Sequence, residues 1–136
     1  MKRRKFLSKM SSSKKIFYLC IGATNSGKTL LLRKLQGRAQ IDETTSSVPT
    51  IGSSIYQVKL RSSDAILIRE LGGSIAPLWY HYYTNLKKII FVIDASNLCQ
   101  ISAAGVLLYS ILTEPNLKYT EVTRRKLRTI IISLWL

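Results

Sequence analysis

The octapeptide GATNSGKT, residues 22 to 29, is the stretch whose residue types and spacing could do chemistry. It fits G-x-x-x-x-G-K-[ST], a pattern that turns backbone N–H groups toward a phosphate. Gly22 and Gly27 permit the tight turn, and Ala23, Thr24, Asn25 and Ser26 fill the loop between them. Lys28 would neutralise the outer phosphates of a nucleotide, and the Thr29 hydroxyl would bind Mg²⁺. The helix starting at Thr29, with Leu30 next, adds its positive dipole end to the same anion site.

The pattern alone is common, and its flanks give it weight. Ahead of it, KKIFYLCIG holds six consecutive apolar residues, Ile16 to Ile21, as in a strand buried on both faces. Behind it, TLLLRKLQG predicts a helix ended by Gly37. The plain alternative is a Gly-rich strand-to-helix turn carrying an exposed lysine. Two later segments extend the phosphate reading. Thr50, in VPTIG, is placed to reach the same Mg²⁺ from a polar, mobile loop spanning residues 38 to 47. In RELGGS, Glu70 ends a strand on the metal side and the Gly73 N–H meets a γ-phosphate. Taken singly, these are an ordinary strand entry and a Gly-Gly bend with a surface carboxylate.

The elements that must position these residues follow from apolar patterning. SIYQVKLR and DAILIRE predict two strands, joined across Ser62-Ser63 as a hairpin. PLWYHYYTNL predicts a helix start, KKIIFVIDA a continuous apolar strand ending at Asp94, and Ile101 to Thr113 a helix closed by Glu114-Pro115. RTIIIS predicts a last strand before Leu134-Trp135-Leu136. This order predicts an α/β, doubly wound, mostly parallel sheet with one antiparallel edge strand. Residues 1–14 are basic and Ser-rich, which predicts a flexible extension and leaves residues 15–136 as the expected single domain.

Composition narrows the partners. The net charge of +14 is concentrated in two runs, Lys2-Arg3-Arg4-Lys5 and Arg124-Arg125-Lys126 with Arg128. Each is first a solvated tail or helix face, and second a contact for an acidic membrane surface or nucleic acid, or a nuclear address. Aromatic residues are not interleaved with the basic ones, so specific nucleic-acid readout has little support. Cys20 and Cys99 lie in apolar surroundings without metal-ligand spacing, which predicts buried packing in a reducing compartment. His81 is the only histidine, which excludes most His-based catalytic schemes. No apolar run approaches the roughly 20 residues of a membrane span, and position 2 is Lys2 rather than an acylated glycine. A cytoplasmic protein, peripheral to membranes at most, is the expectation.

GATNSGKT, PTIG at 49 to 52, the Gly-Gly of ELGG, PLWYHYY at 77 to 83 and IIFVIDAS at 89 to 96 together resemble the ADP-ribosylation-factor (Arf-like) family of small GTPases. The resemblance covers about residues 15 to 133. It implies a P-loop NTPase fold and a GTP/GDP switch. Residues 22–29 with Leu30 would hold the nucleotide, Thr29 and Thr50 would hold Mg²⁺, and Gly73 would report the γ-phosphate. Effector, exchange and GTPase-activating proteins would read residues 48–56 and 72–83.

Four departures from the family pattern carry expectations. The family's aspartate before the Gly-Gly pair is Glu70, whose longer side chain reaches the metal's water shell with altered geometry. The catalytic glutamine position is Ser74, so no residue is assigned as catalytic and unaided hydrolysis is expected to be slow or absent. The acylated N-terminal glycine is missing, which argues against membrane switching by a lipid-bearing helix. No Asn-Lys-x-Asp motif for guanine occurs in the sequence. The chain is therefore expected to be a truncated form lacking the last strand and helix, with weakened base selectivity. A non-catalytic pseudo-GTPase that presents its switch surface to partners is the alternative. An ATP-using P-loop enzyme is the third reading, and it leaves PTIG and PLW unexplained.

Overall fold

The computed structural model describes residues 17–37, 48–59, 65–84, 86–118 and 128–134. The basic N-terminal extension, the polar loop at 38–47, the Ser62-Ser63 linker and the Arg124-Arg125-Lys126 run lie outside the described residues.

The apolar run after Ile16 forms β1, Phe17–Ile21, and the phosphate-loop motif connects it to α1, Lys28–Leu35. A hairpin follows, β2 (Ser53–Lys59) paired antiparallel with β3 (Ala65–Leu71). β4, Leu86–Asp94, leads through an Asp94 turn into α2, Leu98–Thr113. There Asp94 Oδ1 accepts from the backbone N–H and the hydroxyl of Ser96, at 2.9 and 2.6 Å. A single helical turn, α3 (Pro115–Lys118), precedes β5, Arg128–Leu134.

The strands are ordered β2-β3-β1-β4-β5, with every pairing parallel except β2 with β3. The expected sheet is therefore present, with β2 as its antiparallel edge. Alternation along the central strands divides the core into two layers. Cys20, Ile90 and Val92 pack with Leu32 of α1, Val58 and Ile68 on one face. Leu19, Ile21, Ile89 and Phe91 pack on the other with Leu71, Trp79, Tyr83, Ala104 and Ile111. β3 lies inside the sheet, which explains why Ile66, Leu67 and Ile68 are all at least partly buried rather than alternately exposed.

Two expectations need correction. The helical segment around PLW begins at Gly73, not at Pro77, and is a 3-10 segment running to Tyr82 with a break at Ile75. Pro77 follows the break at Ile75, so its missing N–H falls in the opening turn of the resumed coil. Cys99 is exposed on the first turn of α2, while Cys20 alone is buried. The apolar neighbours of Cys99 are misleading because α2 carries no charged side chain, and residues such as Val106 and Tyr109 face outward as well.

Candidate functional site

The parallel strands β1, β3 and β4 end on one side of the sheet. β1 lies between the other two, where successive connections leave in opposite directions, the usual place for a ligand crevice. The loop after β1 sits there. Asn25 takes a positive φ of 60° and Gly27 one of 84°, which curls the loop's backbone around its centre. Gly22 is required by space: a Cβ there would overlap the carbonyl oxygen of Val92 on β4. No side chain caps α1 at Gly27, so the first-turn N–H groups are left for a ligand.

Lys28 folds back across this loop. Its Nζ donates to the carbonyl oxygens of Gly22 at 3.0 Å and Ala23 at 2.7 Å, and to Ser26 Oγ at 3.3 Å. Both Lys28 and Ser26 are buried. Burial pushes the Lys28 ammonium below its ordinary range, opposed by Cys20 and Glu70. A partly desolvated cation held at the loop centre is suited to meeting a polyphosphate.

Beside it, three oxygens from distant parts of the chain meet. Thr29 Oγ1 donates to Glu70 Oε1 at 2.6 Å, and Thr50 Oγ1 donates to the same oxygen at 3.1 Å. The two hydroxyls are themselves 3.1 Å apart. Glu70 is 1% exposed, its buried Oε2 makes no close hydrogen bond among the described residues, and the Tyr56 phenol is a neighbouring donor to the carboxylate. Its charge is felt nearby: burial first, and Glu70 second, push the Tyr56 phenol up and raise the Cys20 thiol to about 12. Two hydroxyls and one buried carboxylate are a hard-oxygen donor set, and they fit a small divalent cation.

The Gly-Gly turn closes the pocket from the other side. A Cβ on Gly73 would overlap the backbone of Thr24 and Ala23, and one on Gly72 would overlap the carbonyl of Thr50. Trp79 Nε1 donates 3.1 Å to the Gly72 carbonyl, tying the 3-10 segment to the turn. The crevice so formed is lined by Thr24, Asn25, Ser26, Gly27, Lys28 and Thr29, with Pro49, Thr50, Glu70, Gly72 and Gly73.

The structure thus brings together residues 24–29, Thr50 and Gly73 of the sequence-derived set. Gly22 and Ala23 stand behind the lining as the acceptors of Lys28, and Leu30 lies half-buried on α1 outside it. Glu70 is more central than its sequence position suggested, because both hydroxyls converge on it. Trp79 escaped notice as a positioning residue. Its signal was available, since a buried indole N–H needs an acceptor.

Residues 3–124 match the family described as Arf: ADP-ribosylation factor family. The chain belongs to the Arf family. It is 37% identical over 110 residues to human ADP-ribosylation factor-like protein 16, covering 76% of this chain and 55% of that protein. It therefore spans little more than half the length of that relative. Among solved structures, the fold is similar to the Arl6 (BBS3) small GTPase of Trypanosoma brucei with a bound nucleotide analogue, at a TM-score of 0.71 and 21% identity. That similarity covers 87% of this chain and 66% of the other. The mammalian signal-recognition-particle receptor structure gives 0.68 at 19% identity, over 85% and 60% of the respective chains. An Arf-family chain of P-loop GTPase fold accounts for the loop, the Thr50 segment and the Gly-Gly turn as one constellation.

Proposed function

We propose that this chain binds a guanine nucleotide with Mg²⁺ in the crevice after β1 and works as a GTP/GDP switch of the Arf-like kind. The observation that supports this most directly is the meeting of Thr29, Thr50 and Glu70 beside the Lys28-braced loop. Lys28 and the first-turn N–H groups of α1 would hold the phosphates, and Thr29 and Thr50 would hold the metal. When bound, Mg²⁺ neutralises and orients the phosphate oxygens. Thr50 and Gly73 approach the loop from separate segments, so a terminal phosphate would be sensed by both at once. Apolar Val48, Ile51, Ile55, Leu78 and Tyr80 are exposed around them, giving effectors and regulators a surface over residues 48–56 and 72–83. The cytoplasm is the proposed setting, with the basic N-terminal sequence suited to an acidic membrane surface.

Binding of a fluorescent GDP or GTP analogue tests this. Affinity is expected to require Mg²⁺, and competition by ATP against GDP reads how much base discrimination this chain retains. Removing one charged phosphate contact costs about 1.5–3 kcal/mol, so Lys28→Ala is expected to weaken Kd roughly ten- to a hundred-fold. Unchanged affinity in that variant would remove the assigned site. The sequence contains no Asn-Lys-x-Asp, so this chain alone is proposed to grip phosphates better than it discriminates bases.

Ser74 favours a second, non-catalytic reading. It is exposed at the start of the 3-10 segment. Its hydroxyl is shorter than a glutamine amide and puts donor and acceptor on one oxygen rather than on two separate atoms that can orient an attacking water. Single-turnover hydrolysis is proposed to be slow or absent, and Ser74→Gln to accelerate it. Rapid turnover by the unaltered chain would sink the pseudo-GTPase alternative.

A further inference from the structure

We propose that Glu70 is a direct ligand of the bound metal ion, in contact with the ion itself rather than with a water in its shell. The proposal rests on the nucleotide and Mg²⁺ site described under Proposed function. Its starting point is the triangle of Thr29 Oγ1, Thr50 Oγ1 and Glu70 Oε1, whose sides are 2.6, 3.1 and 3.1 Å. Mg²⁺ demands near-ideal octahedral coordination at about 2.0–2.1 Å, which sets neighbouring ligand oxygens about 2.9 Å apart. The triangle therefore has the size of one octahedral face. A carboxylate acting through a bridging water would hold its oxygen about 2.7 Å beyond that water. Glu70 Oε1 instead lies within hydrogen-bonding distance of both hydroxyls at once.

The extra methylene of Glu70 supplies this reach. β3 pairs with β1 in a register that sets Glu70 beside Cys20, near the strand ends and close to the loop. From there the side chain extends to both threonines at once. The second carboxylate oxygen provides an independent observation. Oε2 is buried, on a residue only 1% exposed, and makes no close hydrogen bond among the described residues, with the Tyr56 phenol as the neighbouring donor to this carboxylate. An unsatisfied buried carboxylate oxygen is costly. With Oε1 on the ion, Oε2 is placed to accept from a neighbouring metal-bound water beside the Tyr56 phenol.

The chemistry differs from that of a site with neutral hydroxyls alone. An anionic inner ligand takes one water's place and binds the ion by charge. The ion is then held by the protein as well as by the phosphates. The nucleotide and the metal need not leave together.

Counting metal-bound waters tests the proposal without measuring activity. The probe is Mn²⁺ bound to the full chain with a non-hydrolysable GTP analogue, read by electron paramagnetic resonance line broadening in ¹⁷O-enriched water. Of six positions, five would be filled by Thr29, Thr50, Glu70 and two phosphate oxygens, which leaves one water. Glu70→Asp, one methylene shorter, is expected to raise the count to two. Two waters in the unaltered chain would overturn direct ligation whether or not the variant folds. A single water that does not become two in Glu70→Asp would assign the missing position to another group and overturn it as well. Failure of Mn²⁺ to bind with the nucleotide at all would instead strike the site reading beneath the proposal.

Discussion

At the residue scale, the site depends on atoms that leave no room. Gly73 has its α-carbon against the backbone of Thr24 and Ala23, so the turn reaches the phosphate loop only because position 73 lacks a Cβ. Gly73→Ala is expected to push the turn off the loop while leaving the sheet in place. A terminal-phosphate contact from the Gly73 N–H would be lost, worth about ten-fold in affinity for a charge-assisted bond. The check is a comparison of GTP-analogue and GDP affinities, with the loss expected for the triphosphate alone. Lys28 shows the same economy of space. Its amine is braced by two carbonyls and a hydroxyl, so its position is set before any phosphate arrives.

At the scale of elements, the coupling between β3, the Gly-Gly turn and the 3-10 segment matters most. Trp79 is buried in the layer under α2 and reaches back to the Gly72 carbonyl. Arg69 of β3 lies 5.5 Å from the ring centre of Tyr82, a second tie between the same two elements. Trp79→Phe keeps an aromatic ring but removes the donor, leaving the Gly72 carbonyl only the 3.3 Å bond from the Ile75 N–H. The expected cost is about 0.5–1.5 kcal/mol, measured as a shift in denaturant midpoint, with nucleotide affinity falling in parallel. A stability loss with affinity unchanged would mean that Trp79 only fills the core. The 3-10 segment also shows where local patterning fails. Pro77 marks a helix start in the sequence, yet the coil opens at Gly73 because the turn is pinned at Gly72 by Trp79 and at Gly73 by the loop.

At the scale of the whole molecule, two buried groups set a pH limit. Burial, then Glu70, raise the Cys20 thiol from 9.0 to about 12. Burial, then Glu114, raise the Tyr83 phenol from 10.0 to about 12. Above pH 9 the unfolded chain releases protons that the folded chain retains, so stability is full below that point and falls as pH rises toward 12. Chemical denaturation across pH 8 to 12 is expected to show this decline, with Cys20→Ala making it shallower. A pH-independent midpoint would contradict the burial of both groups. Alkylation offers a simple companion check: Cys99 is exposed and should react in the native protein, while Cys20 should react only on unfolding.

The sequence by itself determined the features whose causes are local. Six apolar residues before GATNSGKT specify a buried strand, and the glycines specify a loop, because both follow from side chains within a few positions. The alternation of strands and helices then determined the sheet, with its single antiparallel edge. Only the tertiary structure decided what meets what. Thr50 lies 21 residues and Glu70 41 residues beyond Thr29, and the three join only through the register of β3 against β1 and the approach of the Thr50 segment. The same reason separates Cys20 from Cys99, since apolar neighbours in sequence are not packed neighbours in space. Glu70 could be recognised from the sequence as a carboxylate near the metal. Its place within hydrogen-bonding distance of both hydroxyls could not, because that depends on distances that the fold alone sets.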